Sequence, residues 1–274
     1  MKLSLSVRVA ESFSNKRVVD IELRELTKIA KKAGFEALCM RASMVGIHSP
    51  PDKVLEAKSI VDAAGLTVSM VTGDFAVPEN SAEGPNCLRN ITPFLDLAEQ
   101  LDSDLIRVCI KEADDIPFVQ RASDEAYERQ IRLAHQSHTL SLFETVEGSL
   151  DVLQKVGRPN FGLIYEPSNL ALCGQDYGLT TLQRFSPYLF NIYLQNHVPD
   201  PEGVKPMPTW TQGEVMSTLR PLDEAGGIDF GQIFQALSVL DYDGAVTLHH
   251  AFGGHLPPQE AATRSANFLR SFMV

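Results

Sequence analysis

The chain has 274 residues and a formal charge of −11, because 24 Lys and Arg stand against 35 Asp and Glu. This acidity argues against nucleic acid or an anionic membrane as a partner, since both require clustered Lys and Arg. No apolar run approaches the ~20 residues of a membrane span, and the N-terminal residues lack the apolar block of a signal peptide. We therefore expect a cytoplasmic globular protein. Its four cysteines are scattered along the sequence, and we expect them to be reduced.

Short apolar runs alternate with stretches whose apolar residues have helical spacing. The predicted strands are Leu3–Val9, Phe35–Arg41, Leu66–Val71, Leu105–Ile110, Leu140–Glu144, Phe161–Glu166, Phe190–His197 and Ala245–His250. The predicted helices are Ile21–Gly34, Asp52–Gly65, Asn86–Leu101, Ser123–Ser137, Ser149–Val156, Gly178–Phe185, Asp229–Leu240 and Pro258–Phe272. Eight such units predict one (β/α)8 TIM-barrel domain over residues 1–274. A doubly wound sheet fits less well, because the first strand lacks a Gly-rich phosphate turn.

The connection Val198–Gly227 is unusually long, is rich in Pro and Gly, and contains the only tryptophan, Trp210. It follows the seventh strand on the face where barrels keep their active sites. A connection of this length in a compact domain is often a lid or a binding loop. A decorated surface loop or an oligomer contact is the alternative, and the sequence favours neither.

Polar side chains end the otherwise apolar strands. In chain order they include Arg41, Lys111, Glu144, Glu166, then Gln195 or His197, and finally His249. Carboxylates, an amide and imidazoles on neighbouring strand ends would suit a divalent cation. The alternative is a structural network of these carboxylates with Lys111, Arg107 and Arg41.

Three motifs give the chain a more specific likeness. The run E-P-S-N-L at Glu166–Leu170, followed by G-Q-D at Gly174–Asp176, resembles the D-P-x-N-L…G-x-D stretch after strand 6 of the sugar phosphate isomerase/epimerase family, the xylose isomerase-like TIM barrels. Residues 227–244 are similar to the family's G-x-I-D…I…A-L…G-Y-D-G signature before strand 8. The opening of strand 2 at Gly34–Leu38 also resembles the family's G-F-D-G-V.

The resemblance implies a divalent ion held by Glu on strand 5, Asp on strand 6, His on strand 7 and Glu on strand 8. In this chain these positions would be taken by Glu144, Glu166, Gln195 and His249. A shift of two residues would make His197 the strand 7 ligand instead, because both residues point to the same face. The loss of one carboxylate favours Mn, Co, Zn or Fe over Mg.

A further departure concerns the position two residues after the strand 5 glutamate. Many members carry there a histidine that can act as a base, whereas Val146 follows Glu144 at that spacing.

The resemblance also implies a reaction. Members move a proton next to a carbonyl through a metal-stabilised enediolate, and Glu144 and His249 are the expected acid–base pair here. Substrate contacts are expected from Asn169, His197, Lys111, Arg41 and Trp210. The substrate would be a small carbohydrate or keto-acid, and the protein a homo-oligomer.

Two other functions stay open from the sequence. A metal-dependent lyase or dehydratase would use the same proton abstraction for a β-elimination. A non-catalytic barrel with a degenerate metal site would explain the changed residues Gln195 and His249.

Overall fold

A closed barrel of parallel strands forms the centre of the computed structural model, which describes residues 1–250 and 256–273. The barrel strands are β1 Lys2–Ser6, β2 Ala37–Arg41, β3 Thr67–Thr72, β4 Leu105–Val108, β5 Arg132–Gln136, β6 Phe161–Tyr165, β7 Leu189–Leu194 and β11 Ala245–Leu248. They close in the order β1-β11-β7-β6-β5-β4-β3-β2. The predicted TIM barrel is therefore confirmed.

Ten helices occur in the described residues, and most cover the outside of the barrel. They are α1 Leu23–Ala33, α2 Pro51–Ala63, α3 Asn86–Arg89, α4 Thr92–Gln100, α5 Ile116–Glu128, α6 Val146–Val156, α7 Pro167–Leu172, α8 Leu179–Phe185, α9 Phe230–Val239 and α10 Pro258–Arg270. Helix α1 ends, as predicted, at Gly34, whose φ of 83° is a left-handed conformation that glycine adopts without strain. None of the described helices is both long and apolar enough to cross a membrane.

The fifth strand is where the sequence prediction is wrong. The structure places β5 at Arg132–Gln136, inside the segment Ser123–Ser137 that was predicted as a helix. The predicted strand Leu140–Glu144 is a loop, and it begins with a positive φ of 54° at Leu140. β5 was missed because polar residues occupy three of its five positions, whereas the following loop contains the apolar run that a strand was expected to have.

The long connection after β7 is ordered as a small antiparallel sheet. It comprises β8 His197–Pro199, β9 Lys205–Thr209 and β10 Gly213–Leu219, in the order β8-β10-β9. Trp210 lies in the turn between β9 and β10 and is 56% exposed. This small sheet adds a covering element beside the carboxyl ends of the barrel strands, where β7 leads directly into it.

The barrel interior contains a compact apolar layer. It is formed by Cys39, Met70, Leu105, Ala134, Ile164 and Tyr193. Because side chains alternate along a strand, the residue two positions later on each of these strands also points inward, one layer nearer the carboxyl end. The next layer is therefore Arg41, Thr72, Arg107, Gln136, Glu166 and Gln195, and it contains no apolar side chain.

His135 faces the opposite side of β5 from Ala134 and is buried. Its ring stacks on Phe143 with centroids 4.2 Å apart, and its Nδ1 lies 2.6 Å from the carbonyl oxygen of Gln136. Burial lowers the pKa of His135 to about 3. The folded state therefore keeps this ring neutral, while the unfolded chain takes up a proton below pH ~6.5.

Stability is expected to fall as the pH falls from 6.5 towards 3, with His135 alone accounting for about 3 kcal/mol by pH 4. The His135→Phe variant preserves the stacking on Phe143 and removes the titrating group. Urea unfolding at pH 7, 5.5 and 4 is the measurement. The variant is expected to lose less stability than the wild type over this range, and parallel losses would contradict the assignment.

Candidate functional site

The polar layer at the carboxyl ends of the strands forms the candidate site, which we call the barrel mouth. We define it by the inward residues Ser6, Arg41, Thr72, Arg107, Gln136, Glu166, Gln195 and His249. Of these, the sequence predicted Arg41, Glu166, Gln195 and His249 as site residues. The structure brings these four into one layer, and it adds Gln136 and Arg107 to them.

Glu166 is the acidic centre of the mouth and is fully buried. Three amide groups point their N–H bonds at its carboxylate: Gln136 and Asn169 donate to Oε2, the latter at 2.8 Å, and Gln195 donates to Oε1. Asn169 also donates to the Ser137 carbonyl at 2.8 Å, which fixes its position. The carboxyl group is thus held in one orientation.

Burial raises the pKa of Glu166 to about 8, although Arg107 and the hydrogen bond from Gln195 act in the opposite direction. Near neutral pH, both the protonated and the ionised form of this carboxyl group are then accessible. A group of this kind can accept a proton and return it.

His249 follows β11 and reaches the mouth from the side of β1. Its ring stacks on Tyr193 with centroids 4.1 Å apart, and its Nδ1 lies 3.0 Å from the Ser6 hydroxyl. Burial lowers the pKa of His249 well below its ordinary value, with Arg41 and Arg107 adding to the shift. The imidazole is therefore neutral and oriented.

Two guanidinium groups share the mouth with these residues. Arg41 binds Glu11 through two hydrogen bonds, Nε to Oε1 at 2.6 Å and Nη2 to Oε2 at 3.1 Å. Arg107 is also buried, but among residues 1–250 and 256–273 it has no acidic partner within 4.0 Å. Its one hydrogen bond there is from Nη2 to the Val77 carbonyl at 3.4 Å.

The corrected fifth strand changes the residues at two positions that the family resemblance singles out. Gln136, and not Glu144, stands at the strand 5 position. Two residues later comes His138, where many members have a histidine, so Val146 is not a departure from that pattern. His138 Nδ1 lies 2.8 Å from the Thr139 carbonyl and therefore carries the proton, which leaves Nε2 as an acceptor. Burial, together with nearby Arg107, lowers its pKa to about 3.

Glu144 is not in the mouth, and the prediction that it ends the fifth strand is wrong. Its buried carboxylate accepts backbone N–H bonds from Trp210 at 2.8 and 3.0 Å, from Thr211 at 3.0 Å and from Leu140. These bonds attach the turn between β9 and β10 to the loop after β5. The expected roles of Glu144 as metal ligand and base therefore lose their geometric basis, and the residue anchors the small sheet.

The Glu144→Gln variant is expected to loosen the small sheet, because the amide NH2 would face backbone donors and leave at least one of them unpaired. We expect a loss of about 2 kcal/mol, first seen as faster deuterium exchange across residues 205–219. Trp210, the only tryptophan, reports the same opening by fluorescence. The control is Glu147→Gln, which removes an exposed ion pair with Arg184. Equal exchange in both variants would contradict this role.

The remaining predicted residues lie around the mouth rather than in its layer. His197 Nε2 contacts the Ser217 hydroxyl at 2.8 Å within the small sheet, so Gln195 is the strand 7 residue that meets Glu166. Lys111 donates to the Asn80 carbonyl at 3.0 Å. The substrate-binding roles of His197, Lys111 and Trp210 stay predictions.

The mouth does not fit the divalent ion that the resemblance implies. Gln136, Glu166, Gln195 and His249 supply one carboxylate, and three amide N–H groups already take three of its roughly four acceptor positions. If both glutamine amides turned their oxygens inward, the site would still offer a divalent cation only one negative charge. The nearby guanidinium groups would repel that cation. In the described part of the chain, no three His, Cys, Asp or Glu side chains are grouped as a metal site.

Comparison with known proteins agrees with the barrel. The chain is similar in structure to a probable 3-DHS dehydratase involved in petrobactin synthesis from Bacillus anthracis, with 16% identity over 98% of this chain and 99% of that chain and a TM-score of 0.74. It is also similar to D-psicose 3-epimerase from Clostridium cellulolyticum H10, with 14% identity over 100% and 99% of the two chains and a TM-score of 0.70. A search of curated proteins finds no match. The model of the xylose isomerase-like TIM barrel family matches residues 20–272, and the chain therefore belongs to that family.

Proposed function

We propose that the chain is an enzyme that transfers a proton next to a carbonyl group, as a sugar isomerase or epimerase does, and that Glu166 is the group that accepts and returns this proton. The observation that carries the proposal is the position of Glu166: a buried carboxyl group at the carboxyl end of the barrel, oriented by Gln136, Gln195 and Asn169. Such orientation is what proton transfer to carbon requires.

The side chains around Glu166 supply the other functions of this reaction. His249 and His138 are neutral and oriented, so their ring nitrogens can hydrogen-bond and position substrate hydroxyl groups. Arg107 lies in the same inward layer as Glu166, and fixed cations in a dry site stabilise the negative charge that develops when the proton leaves. No step is assigned to a metal ion, because the donor set does not fit one.

A dehydratase is the second candidate, and one observation favours it. The chain is similar in structure to a probable 3-DHS dehydratase. In that reaction Glu166 would take the same proton and return it to the β-hydroxyl, which the enolate expels as water.

Proton exchange tests the proposal directly. The protein is incubated in deuterium oxide with a panel of keto-sugars and cyclic keto-acids, and the products are followed by NMR and by ultraviolet absorbance. An isomerase or epimerase incorporates deuterium next to the carbonyl and conserves the substrate's formula. A dehydratase releases water and produces a conjugated chromophore. Binding of panel members with neither exchange nor elimination would overturn both candidates and favour a non-catalytic barrel.

A further inference from the structure

We propose that Arg107, Arg41 and Lys16 form an anion-binding site in the barrel mouth, and that the substrate carries a carboxylate or phosphate group that occupies it. This inference rests on the proposed function, because it names the class of small molecule on which the same site acts.

Positive charge is concentrated at the mouth of a chain whose formal charge is −11. Arg8, Lys16, Arg41, Arg107 and Lys111 all lie at this end of the barrel, as their positions on or after β1, β2 and β4 require. Of the acidic residues nearby, Glu11 accepts hydrogen bonds from Arg41 and lies 3.5 Å from Arg8, and Glu166 accepts its hydrogen bonds from three amide groups.

Arg107 is the strongest evidence for a bound anion. It is 4% exposed and projects inward, one layer above Leu105. Its Nε has no hydrogen-bond partner among the described residues, and its single bond to a carbonyl neutralises no charge. A buried guanidinium group without a counter-ion is costly, and the cost is removed when an anion binds. Burial lowers the pKa of Arg107 and nearby Arg41 lowers it further, while Glu166 acts in the opposite direction.

Arg41 supplies a second donor that is already oriented. Glu11 holds its Nε and Nη2, and the Ser43 hydroxyl in turn donates to Glu11 at 2.7 Å, so the guanidinium plane is fixed. Its Nη1 is buried and has no partner in the described part of the chain. A planar guanidinium with a free donor edge suits the oxygens of a carboxylate or phosphate.

Lys16 brings a third cation from the exposed loop after β1. Its ammonium group lies 3.5 Å from the Pro78 carbonyl oxygen. Loss of solvent around that ammonium, and the positive charges of Arg41, Arg8 and Arg107, lower the pKa of Lys16 to about 8. An anion between these cations would relieve their repulsion, whereas a neutral sugar would leave it in place.

Direct binding measurements test the site without requiring turnover. Calorimetric titration with inorganic phosphate, with gluconate and with the neutral polyol sorbitol is carried out on the wild type. We expect phosphate or gluconate to bind and sorbitol not to bind detectably at the same concentrations. Stronger binding of gluconate would assign a carboxylate, and stronger binding of phosphate a phosphate ester. Equal binding of sorbitol would overturn the proposal.

Variants then locate the anion. Arg107→Met is expected to weaken anion binding at least tenfold without lowering the melting temperature of the unliganded protein, because it removes an unpaired buried charge. Arg107→Lys is expected to retain part of the affinity. The matched control is Arg129→Met, which removes an exposed ion pair with Asp96 and is expected to leave binding unchanged. If Arg107→Met does not fold, Lys16→Met, at an exposed position, makes the same test.

Unchanged anion affinity in Arg107→Met would overturn the inference. Its failure is distinguishable from that of the proposed function. Anion binding without proton exchange on any keto-compound would contradict the proposed enzyme activity but would support the anion-binding site. Proton exchange on neutral keto-sugars alone, with no anion binding, would support the enzyme activity and contradict the anion-binding site.

Discussion

The Glu166→Gln variant is expected to lose proton exchange by about 10³-fold while remaining folded. The amide has nearly the shape of the carboxyl group but neither accepts nor returns a proton at neutral pH, and proton transfer by a positioned side chain contributes roughly 10²–10⁴-fold to a rate. The buried site, with the pKa of Glu166 raised to about 8, should tolerate the neutral side chain. Deuterium incorporation into the best substrate of the panel is the measurement.

The control for this variant is the same Glu→Gln substitution at a position outside the barrel mouth. Glu147→Gln makes the same replacement on the exposed surface of α6 and is expected to retain wild-type exchange. Thermal unfolding of both variants checks that the fold is intact. If Glu166→Gln retained a tenth or more of the wild-type rate, Glu166 would not be the proton-transfer group, and His138 and His249 would become the candidates.

The fold could be predicted from the sequence because seven barrel strands are short apolar runs bounded by turn residues. The fifth could not be predicted from its own pattern, since only Leu133 and Ala134 in Arg132–Gln136 are apolar. Spacing along the chain contains a signal that composition lacks. The predicted fifth strand begins at Leu140, only 21 residues before Phe161 at the start of β6, which is too short a distance for a strand, a helix and two loops. The observed strand begins at Arg132, 29 residues before Phe161.

The candidate site was predicted in part, and the missing part follows from that one strand. Glu166, Gln195 and His249 were found because each lies at the end of an apolar strand that was visible, and Asn169 because it belongs to the motif that resembles the family's. Gln136 and His138 were assigned to a helix and its end, so they did not enter the site. Glu144 was assigned to the site because an acidic residue after an apolar run looks, in sequence, like a ligand at the end of a strand. The same pattern occurs when the apolar run is a loop.

Ion pairing distinguishes the two buried arginines in a way that the sequence does not show. Arg41 and Arg107 occupy equivalent inward positions on β2 and β4, but Glu11 pairs with the former, while Arg107 is left with a carbonyl. Pairing between residues 30 apart, as Glu11 and Arg41 are, depends on which loop folds over which strand. The charge available to a ligand is therefore a property of the folded mouth.

The donor set of the mouth also predicts the result of metal analysis. We expect the purified, unchelated protein to contain well below one equivalent of Mn, Co, Zn or Fe per chain, and a chelator to leave proton exchange unchanged. With a single carboxylate that is already bound by amide N–H groups, and with Arg107 in the same layer, a divalent cation would gain little and be repelled. Elemental analysis before and after chelation is the measurement.

A variant that builds the donor set of the family is the matched control. The Gln136→Glu/Gln195→His/His249→Glu triple variant supplies two more carboxylates and an imidazole around Glu166, and it is expected to bind Mn²⁺ in a titration followed by electron paramagnetic resonance. One metal ion per wild-type chain, lost in Glu166→Ala, would instead contradict the expectation and show that amide oxygens complete a working site. The comparison decides whether a bound metal ion or the cationic side chains of the mouth stabilise negative charge in this barrel.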